Sequence, residues 1–210
     1  DPFAPVRVVV GSREMERWLR HRLAQSIGIC AHAEFPFPAA TIDSITEQVL
    51  GPAPGSTEGS ASPRAGEGWT PEVLCWAILK VLPDLLHRSE FEALCRYLDR
   101  VPDPIDGRTF ALVQQLADLL DRYITYRPAL ARAWSEGGQE AQVEAVDPSL
   151  LWQPLLWAAL QEQLGGAEHR AQRIGRACEA LRQGTALSLP EPPIRFFGVT
   201  GLPPCWLDFL

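Results

Sequence analysis

Two runs of β-type residues, Val6-Arg7-Val8-Val9-Val10 and Ile194-Arg195-Phe196-Phe197-Gly198-Val199, bracket a long stretch whose apolar residues recur at helical spacing. Short continuous apolar runs predict strands buried on both faces of a parallel sheet. Parallel neighbours need a crossover connection, and here everything between the runs is available for it. The expected fold class is therefore α/β, a parallel sheet with a large helical block inserted between its strands. A freestanding all-α domain with short β decorations is the alternative.

The first 50 residues read β-α-β. Ser12 is placed to cap a helix whose Met15, Trp18, Leu19 and Leu23 share one face, and Gly28 to end it. A short apolar piece at Ile29 to Ala31 precedes Phe35-Pro36-Phe37-Pro38, which is extended because proline disfavours the α region in the residue before it. Ile42, Ile45, Val49 and Leu50 predict a second helix.

Residues 51–68 carry eleven Gly, Pro or Ser and no large apolar residue, so a flexible loop is expected there. A catalytic glycine-rich loop is the alternative, but it lacks a suitably placed basic residue. From Thr70 to about Gly184 the chain is expected to be helical. Thr70-Pro71-Glu72 is a helix start, Pro83 is expected to kink or split that helix, and Ser89 to cap the next, running to about Leu98. Further helices are expected over Thr109–Tyr126, after Asp147-Pro148 up to Gly165-Gly166, and over Ala171–Leu181 ending at Gly184. The chain then enters the second strand, and Pro203 to Leu210 read as the first turns of an apolar helix. Asp1 in place of a methionine, and apolar residues close to both ends, predict a piece of a longer protein.

Charge removes some functions. The formal net charge is -7, from 26 acidic and 19 basic residues, which argues against coating duplex DNA by bulk charge. Lys80 is the single lysine, and it follows Leu79, so no phosphate-binding loop of the G-x-x-x-x-G-K-[ST] type is present. Cys30, Cys75, Cys95, Cys178 and Cys205 form no C-x-x-C and have no histidine at zinc-ligand spacing; buried thiols in a reduced cytoplasm are expected, with no metal and no cofactor. No signal peptide and no apolar run of membrane-spanning length, about 20 residues, is present.

Catalytic patterns are thin. His21, His32, His87 and His169 are scattered, and His21 and His169 stand beside arginine, which suits a polar surface. No G-x-S-x-G, H-E-x-x-H or paired-carboxylate motif occurs, so no catalytic residue is assigned. Asp118 and Asp121 share a helix face, with Arg127 within two turns. A solvated face with intrahelical ion pairs is the plain explanation. The functional alternative is a hydrogen-bonding strip, since carboxylates accept from cytosine N4 and arginine forks onto guanine or phosphate. Among the seven tryptophans, core packing is expected, except for Trp69, which its adjoining loop should expose for base stacking. After Phe196-Phe197 the strand end offers only Gly198, Val199, Thr200 and Gly201, where a nucleotidase would present a carboxylate for magnesium.

Six segments, in order, resemble one family. They are Asp1-Pro2-Phe3 with the Val8–Val10 strand and Met15-x-x-Trp18-Leu19; Phe35-Pro36-x-Pro38-Ala39; Leu116-Ala117-Asp118-Leu119-x-Asp121-x-Tyr123 with Tyr126-Arg127-Pro128; Trp152-Gln153-Pro154-Leu155-Leu156-Trp157; His169-Arg170-Ala171; and Leu202-Pro203-Pro204. Together they resemble the amino-terminal part of the exodeoxyribonuclease V gamma subunit family, RecC. The resemblance implies a superfamily 1 helicase-like, RecA-like domain that has lost its ATPase residues. It implies residues 1–50 as the first part of that domain, 51–68 as a variable loop, 69–185 as the inserted helical subdomain, and 186–210 as the return with a degenerate Walker B strand. Implied partners are RecB-like helicase-nuclease and RecD-like helicase subunits, and a single DNA strand in a tunnel scanned for a Chi-like hotspot. The strand-facing positions it implies are Asp118, Leu119, Asp121, Arg127 and Arg170, with Phe37 and, near the first helix, Arg13 and Arg17. At Gly11, Arg13, Arg17 and Asp43 the chain departs from the family pattern, which implies a different hotspot or DNA binding without readout. The rival functions are an active ATP-dependent helicase of the same fold and a protein–protein scaffold without DNA contact.

Overall fold

The computed structural model describes residues 6–51, 67–98, 106–137, 148–186 and 194–210. The Asp1-Pro2-Phe3 motif, most of the 51–68 loop and Asp147 lie outside them. The chain divides into two compact units, one formed by Asp1–Ala53 with Ile174–Leu210 and the other by Pro54–Arg173.

The first unit holds a three-stranded parallel sheet in the order β2-β1-β3, with β1 at Val6–Val10, β2 at Ala33–Glu34 and β3 at Arg195–Phe197. Val6 pairs with Ala33 on one side of β1, and Val8 to Val10 pair with Arg195 to Phe197 on the other. Only Val9 and Val10 of β1 are fully buried. β3 was expected to be a buried strand, but all three of its residues are exposed. It is the outer strand of the sheet, so within this unit it has a paired neighbour on one side only.

Helix α1, Arg13–Ile27, starts where Ser12 accepts a hydrogen bond from the Met15 amide and ends at Gly28. None of its residues is fully buried, and Trp18, expected on the core face, is 52% exposed with its ring stacked 5.9 Å from Phe197. The short apolar piece at Ile29 to Ala31 is not the strand; β2 begins two residues later, and Ile29 is exposed. Helix α2, Pro38–Leu50, buries Ile42, Ile45 and Val49 against Ile174, Ala177, Trp206 and Phe209. Gly198, directly after β3, has a φ of +64, and a Cβ there would lie 2.9 Å from the Met15 Cε. The backbone conformation favours glycine at this position, whereas the Met15 side chain is flexible and could move aside for a Cβ.

The second unit is helical. Its helices are α3 (Pro71–Leu85), α4 (Glu92–Leu98), α5 (Gly107–Tyr126), α6 (Pro128–Ser135) and α7 (Trp152–Gln163); α8 (Arg170–Gln183) begins in it. Thr70 caps α3 as expected. Pro83 does not split it: the helix runs on to Leu85, the proline forfeits a single backbone bond, and the Leu86 amide still donates to the Leu82 carbonyl. Ser89 does not cap α4; it opens a 3₁₀ turn over Ser89–Phe91, and its hydroxyl donates to the Glu90 carboxylate. α3 packs on α5 and α7, burying Leu74, Ile78, Leu82, Leu112, Val113, Leu116, Leu120, Leu156 and Trp157 in one core. A short helix, α9 (Pro204–Leu207), closes the described chain in the first unit and buries Trp206.

Candidate nucleic-acid interface

α5 is a helix because its apolar residues return every three or four positions. Leu112, Val113, Leu116, Ala117, Leu120 and Ile124 face the core, and the opposite side carries Gln114, Gln115, Asp118 and Arg122. Asp118 is exposed, and Asp121, one turn on, stands half-buried at the edge of the core. Burial pushes the Asp121 carboxyl above its usual range; the Arg170 guanidinium pulls it back down, and Asp118 and Glu72 push it up again. The fold thus brings Asp118, Asp121, Arg170 and Glu72 into one electrostatic neighbourhood. Arg170 reaches it from the first position of α8. Glu72, from α3, was not singled out in the sequence, because nothing in its local spacing shows that α3 packs on α5.

Arg127 is exposed at the end of α5, its guanidinium 5.6 Å above the Tyr123 ring. Tyr123 is anchored by donating its hydroxyl to the Gln153 side chain at 3.1 Å. Leu119 is only partly buried and packs against the core. Asp118, Leu119, Asp121, Arg127 and Arg170 all belong to the second unit. In the first unit, Arg13 and Arg17 are exposed on α1, and Phe37, 36% exposed, precedes α2. Asp43 is exposed on α2.

Trp69 is not the exposed stacking residue expected. It is 3% exposed, its indole N–H donates to the Ala167 carbonyl at 2.7 Å, and its ring lies 4.6 Å from Trp157. A 3₁₀ turn at Glu67–Trp69 carries it inward, which composition of the neighbouring loop could not show. The tryptophans that are exposed are Trp18 and Trp76.

His169 is likewise not on a polar surface. It is fully buried, and burial lowers its pKa to about 4. Its Nδ1 accepts from the Gln172 amide at 3.3 Å, which places the proton of the neutral ring on Nε2, 3.1 Å from Ser135 Oγ. Ser135 Oγ also donates to the Ala131 carbonyl and accepts from the Trp157 indole N–H, each at 3.1 Å. The pair has the spacing of a nucleophile and base, but its geometry is wrong for that work. Nε2 holds a proton and cannot take one from the serine, whose hydroxyl is already committed to a carbonyl.

A histidine held neutral by burial lowers stability wherever the unfolded ring binds a proton that the folded ring does not, so stability falls as pH drops between the two pKa values. The unfolded ring titrates near 6.5, so the loss begins below about pH 6.5 and grows towards pH 4. At pH 4.5 it should reach about 2 kcal/mol. The raised Asp121 acts in the opposite sense, stabilising as pH falls, so the comparison must be with a variant. Denaturant titrations at pH 7 and pH 4.5 should show this drop in the native chain and a smaller one in His169→Gln. Equal drops in both would contradict it.

At the carboxyl ends of β1 and β3 lies a cavity of about 290 Å³, lined by Gly11, Ser12, Met15, Pro38 and Gly198 to Gly201. Open α/β sheets place ligands at this edge. Its described lining carries no carboxylate, lysine, arginine or histidine; its polar side chains are the hydroxyls of Ser12 and Thr200. Among the described residues, no group of three His, Cys, Asp or Glu is placed to hold a metal ion, and no helix is long and apolar enough to cross a membrane.

The architecture defines a mixed α/β protein, mostly helical, whose small parallel sheet is separated in sequence by a helical unit in which Arg170, Asp118 and Glu72 act on the Asp121 carboxyl. Its sequence matches the family model described as RecC, N-terminal domain, over residues 1–210. It is similar to the RecBCD enzyme subunit RecC of Escherichia coli (strain K12), 34% identical over 100% of this chain and 18% of that protein. The RecBCD enzyme subunit RecC of Haemophilus influenzae is 28% identical over 100% of this chain and 20% of its own length, and that of Mycobacterium tuberculosis (strain CDC 1551 / Oshkosh) 31% over 96% and 18%. The chain belongs to the RecC amino-terminal domain family. It spans about a fifth of the length of these curated relatives.

Proposed function

We propose that the chain is a non-catalytic DNA-channel and scaffold module of a RecBCD-type helicase–nuclease, acting in double-strand break repair in the cytoplasm. Its partners are RecB-like and RecD-like subunits and a single 3′-ended DNA strand, scanned for a Chi-like hotspot. The module has no activity of its own and serves an ATP-dependent exodeoxyribonuclease V complex. In this reading the sheet belongs to a RecA-like domain interrupted by the helical subdomain.

The observation that carries the proposal is the convergence of Asp118, Asp121 and Arg170, from two helices, in a chain matched along its whole length by a RecC family model. Carboxylates accept from exocyclic amino groups of bases, and arginines fork onto guanine or phosphate, so such a group suits an unpaired strand. The apolar, glycine and threonine residues after β3, and the absence of lysine other than Lys80, support guiding a strand over hydrolysing ATP. Arg13, Arg17 and Phe37 are the contacts assigned to the first unit.

Photocrosslinking tests this in the assembled complex, with 5-iodouridine placed along the 3′-ended strand. Adducts should map to residues 118–127 and the start of α8. Adducts elsewhere with none on these helices would overturn the assignment. ATP turnover by the isolated full-length subunit would favour an active helicase instead.

A further inference from the structure

The groove between α3 and α5 is unlike the rest of the helical surface. It encloses about 570 Å³ and is lined by Trp76 and Phe110, by the amide of Gln114, and by the carboxylates of Glu72 and Asp118 at its edges. Trp76 is 70% exposed, the most exposed tryptophan among the described residues, and Phe110 is 37% exposed. Glu72 and Trp76 are one turn apart on α3, so the carboxylate and the open indole face lie side by side. Among the described residues no cationic side chain lines the groove; Lys80 stands a further turn along α3, outside the lining.

An exposed ring beside an exposed carboxylate selects its ligand by charge. A phosphodiester strand laid over Trp76 would meet the Glu72 carboxylate one turn away and no cation from the described lining residues. A guanidinium or ammonium meets the opposite situation: the indole quadrupole attracts it from one side and Glu72 from the other. Phe110 supplies an apolar wall for the aliphatic stem of such a residue, and Gln114 can donate to and accept from a peptide backbone.

We infer that the α3–α5 groove is a docking site for a basic segment of a partner protein, with an arginine or lysine stacked on Trp76 and paired with Glu72. This goes beyond the DNA-channel role and does not depend on it. Asp118 borders both the groove and the proposed strand-facing residues, so the test leaves it and Trp76 in place and changes Glu72 and Gln115, both exposed and therefore replaceable without unfolding.

The full-length chain is assembled with its natural partners and DNA, with p-benzoylphenylalanine in place of Gln115, an exposed residue of the groove lining, and irradiated. The adduct is expected on a segment of another protein with an arginine or lysine beside the linked residue. Glu72→Arg should lower its yield about tenfold, by placing like charges together. Exchanging the partner's basic residue for glutamate should restore the yield in the Glu72→Arg background. An adduct with DNA, with a second copy of this chain or with a segment lacking a basic residue would overturn the inference. So would the absence of any adduct, or indifference to Glu72→Arg. Strand crosslinks to residues 118–127 are a separate readout, so the two proposals can fail independently.

Discussion

Replacing Trp157 by alanine should destabilise the helical unit by about 3–5 kcal/mol, a large part of what holds a domain of this size together. Trp157 is fully buried, its ring centroid is 4.6 Å from that of Trp69, 5.3 Å from His169 and 5.5 Å from Trp134, and its N–H is taken by Ser135. Truncation opens a cavity lined by rigid aromatic rings that cannot collapse into it. It also removes the donor that satisfies Ser135, the residue through which His169 is held. Trp157→Phe keeps most of the volume and loses only the hydrogen bond, so its cost should be nearer 1 kcal/mol. Denaturant unfolding of the chain checks both. A Trp157→Ala variant within 1 kcal/mol of the native chain would show that the aromatic cluster is not the keystone described.

The elements that local rules govern were legible in the sequence. Ser12, Thr70, Gly28 and Gly184 act through their own backbone neighbourhoods, and the helix limits follow them closely. β1 is equally plain from its valines. What was not legible depends on which surfaces meet. The run at residues 194–199 has the composition of a buried strand, but burial depends on neighbours, and β3 is the outer strand. Trp69 lies next to a polar loop in sequence, yet its partners Trp157 and Ala167 are about 90 and 98 residues away. His169 stands beside arginine in the chain but has its ring turned into a network with Ser135 and Gln172.

The candidate site divides in the same way. Asp118, Asp121 and Arg127 could be placed on one helix from spacing alone. The approach of Arg170 to Asp121 could not, since it needs α8 to begin beside α5; the family resemblance implied only that Arg170 faces the strand. Glu72 and Trp76 were invisible as site residues, because Thr70-Pro71-Glu72 reads first as a helix start and tryptophan reads first as core. Exposure of Trp76 is a fact of packing: α3 turns Leu74, Cys75, Ala77 and Ile78 inward and leaves residue 76 outside.

The double variant Arg127→Ala with Arg170→Ala should bind the 3′-ended strand about a hundredfold more weakly in the assembled complex, since each arginine contact to a phosphate or base edge is worth about 1–3 kcal/mol. Assembly should be unaffected, because Arg127 is exposed and Arg170 lies at the first turn of its helix. Removing Arg170 also takes away the positive charge that restrains the raised Asp121 pKa, so Arg170→Lys, which keeps the charge, should retain more binding than Arg170→Ala. The decisive measurement is the salt dependence of binding to a forked duplex with a 3′ tail, followed by fluorescence anisotropy. Each lost phosphate contact should reduce the slope of log affinity against log salt by about 0.7. A weaker, flatter salt response in the double variant, with the complex intact, is the result expected of a strand guided by these arginines. Affinity and slope both equal to those of the native complex would contradict it.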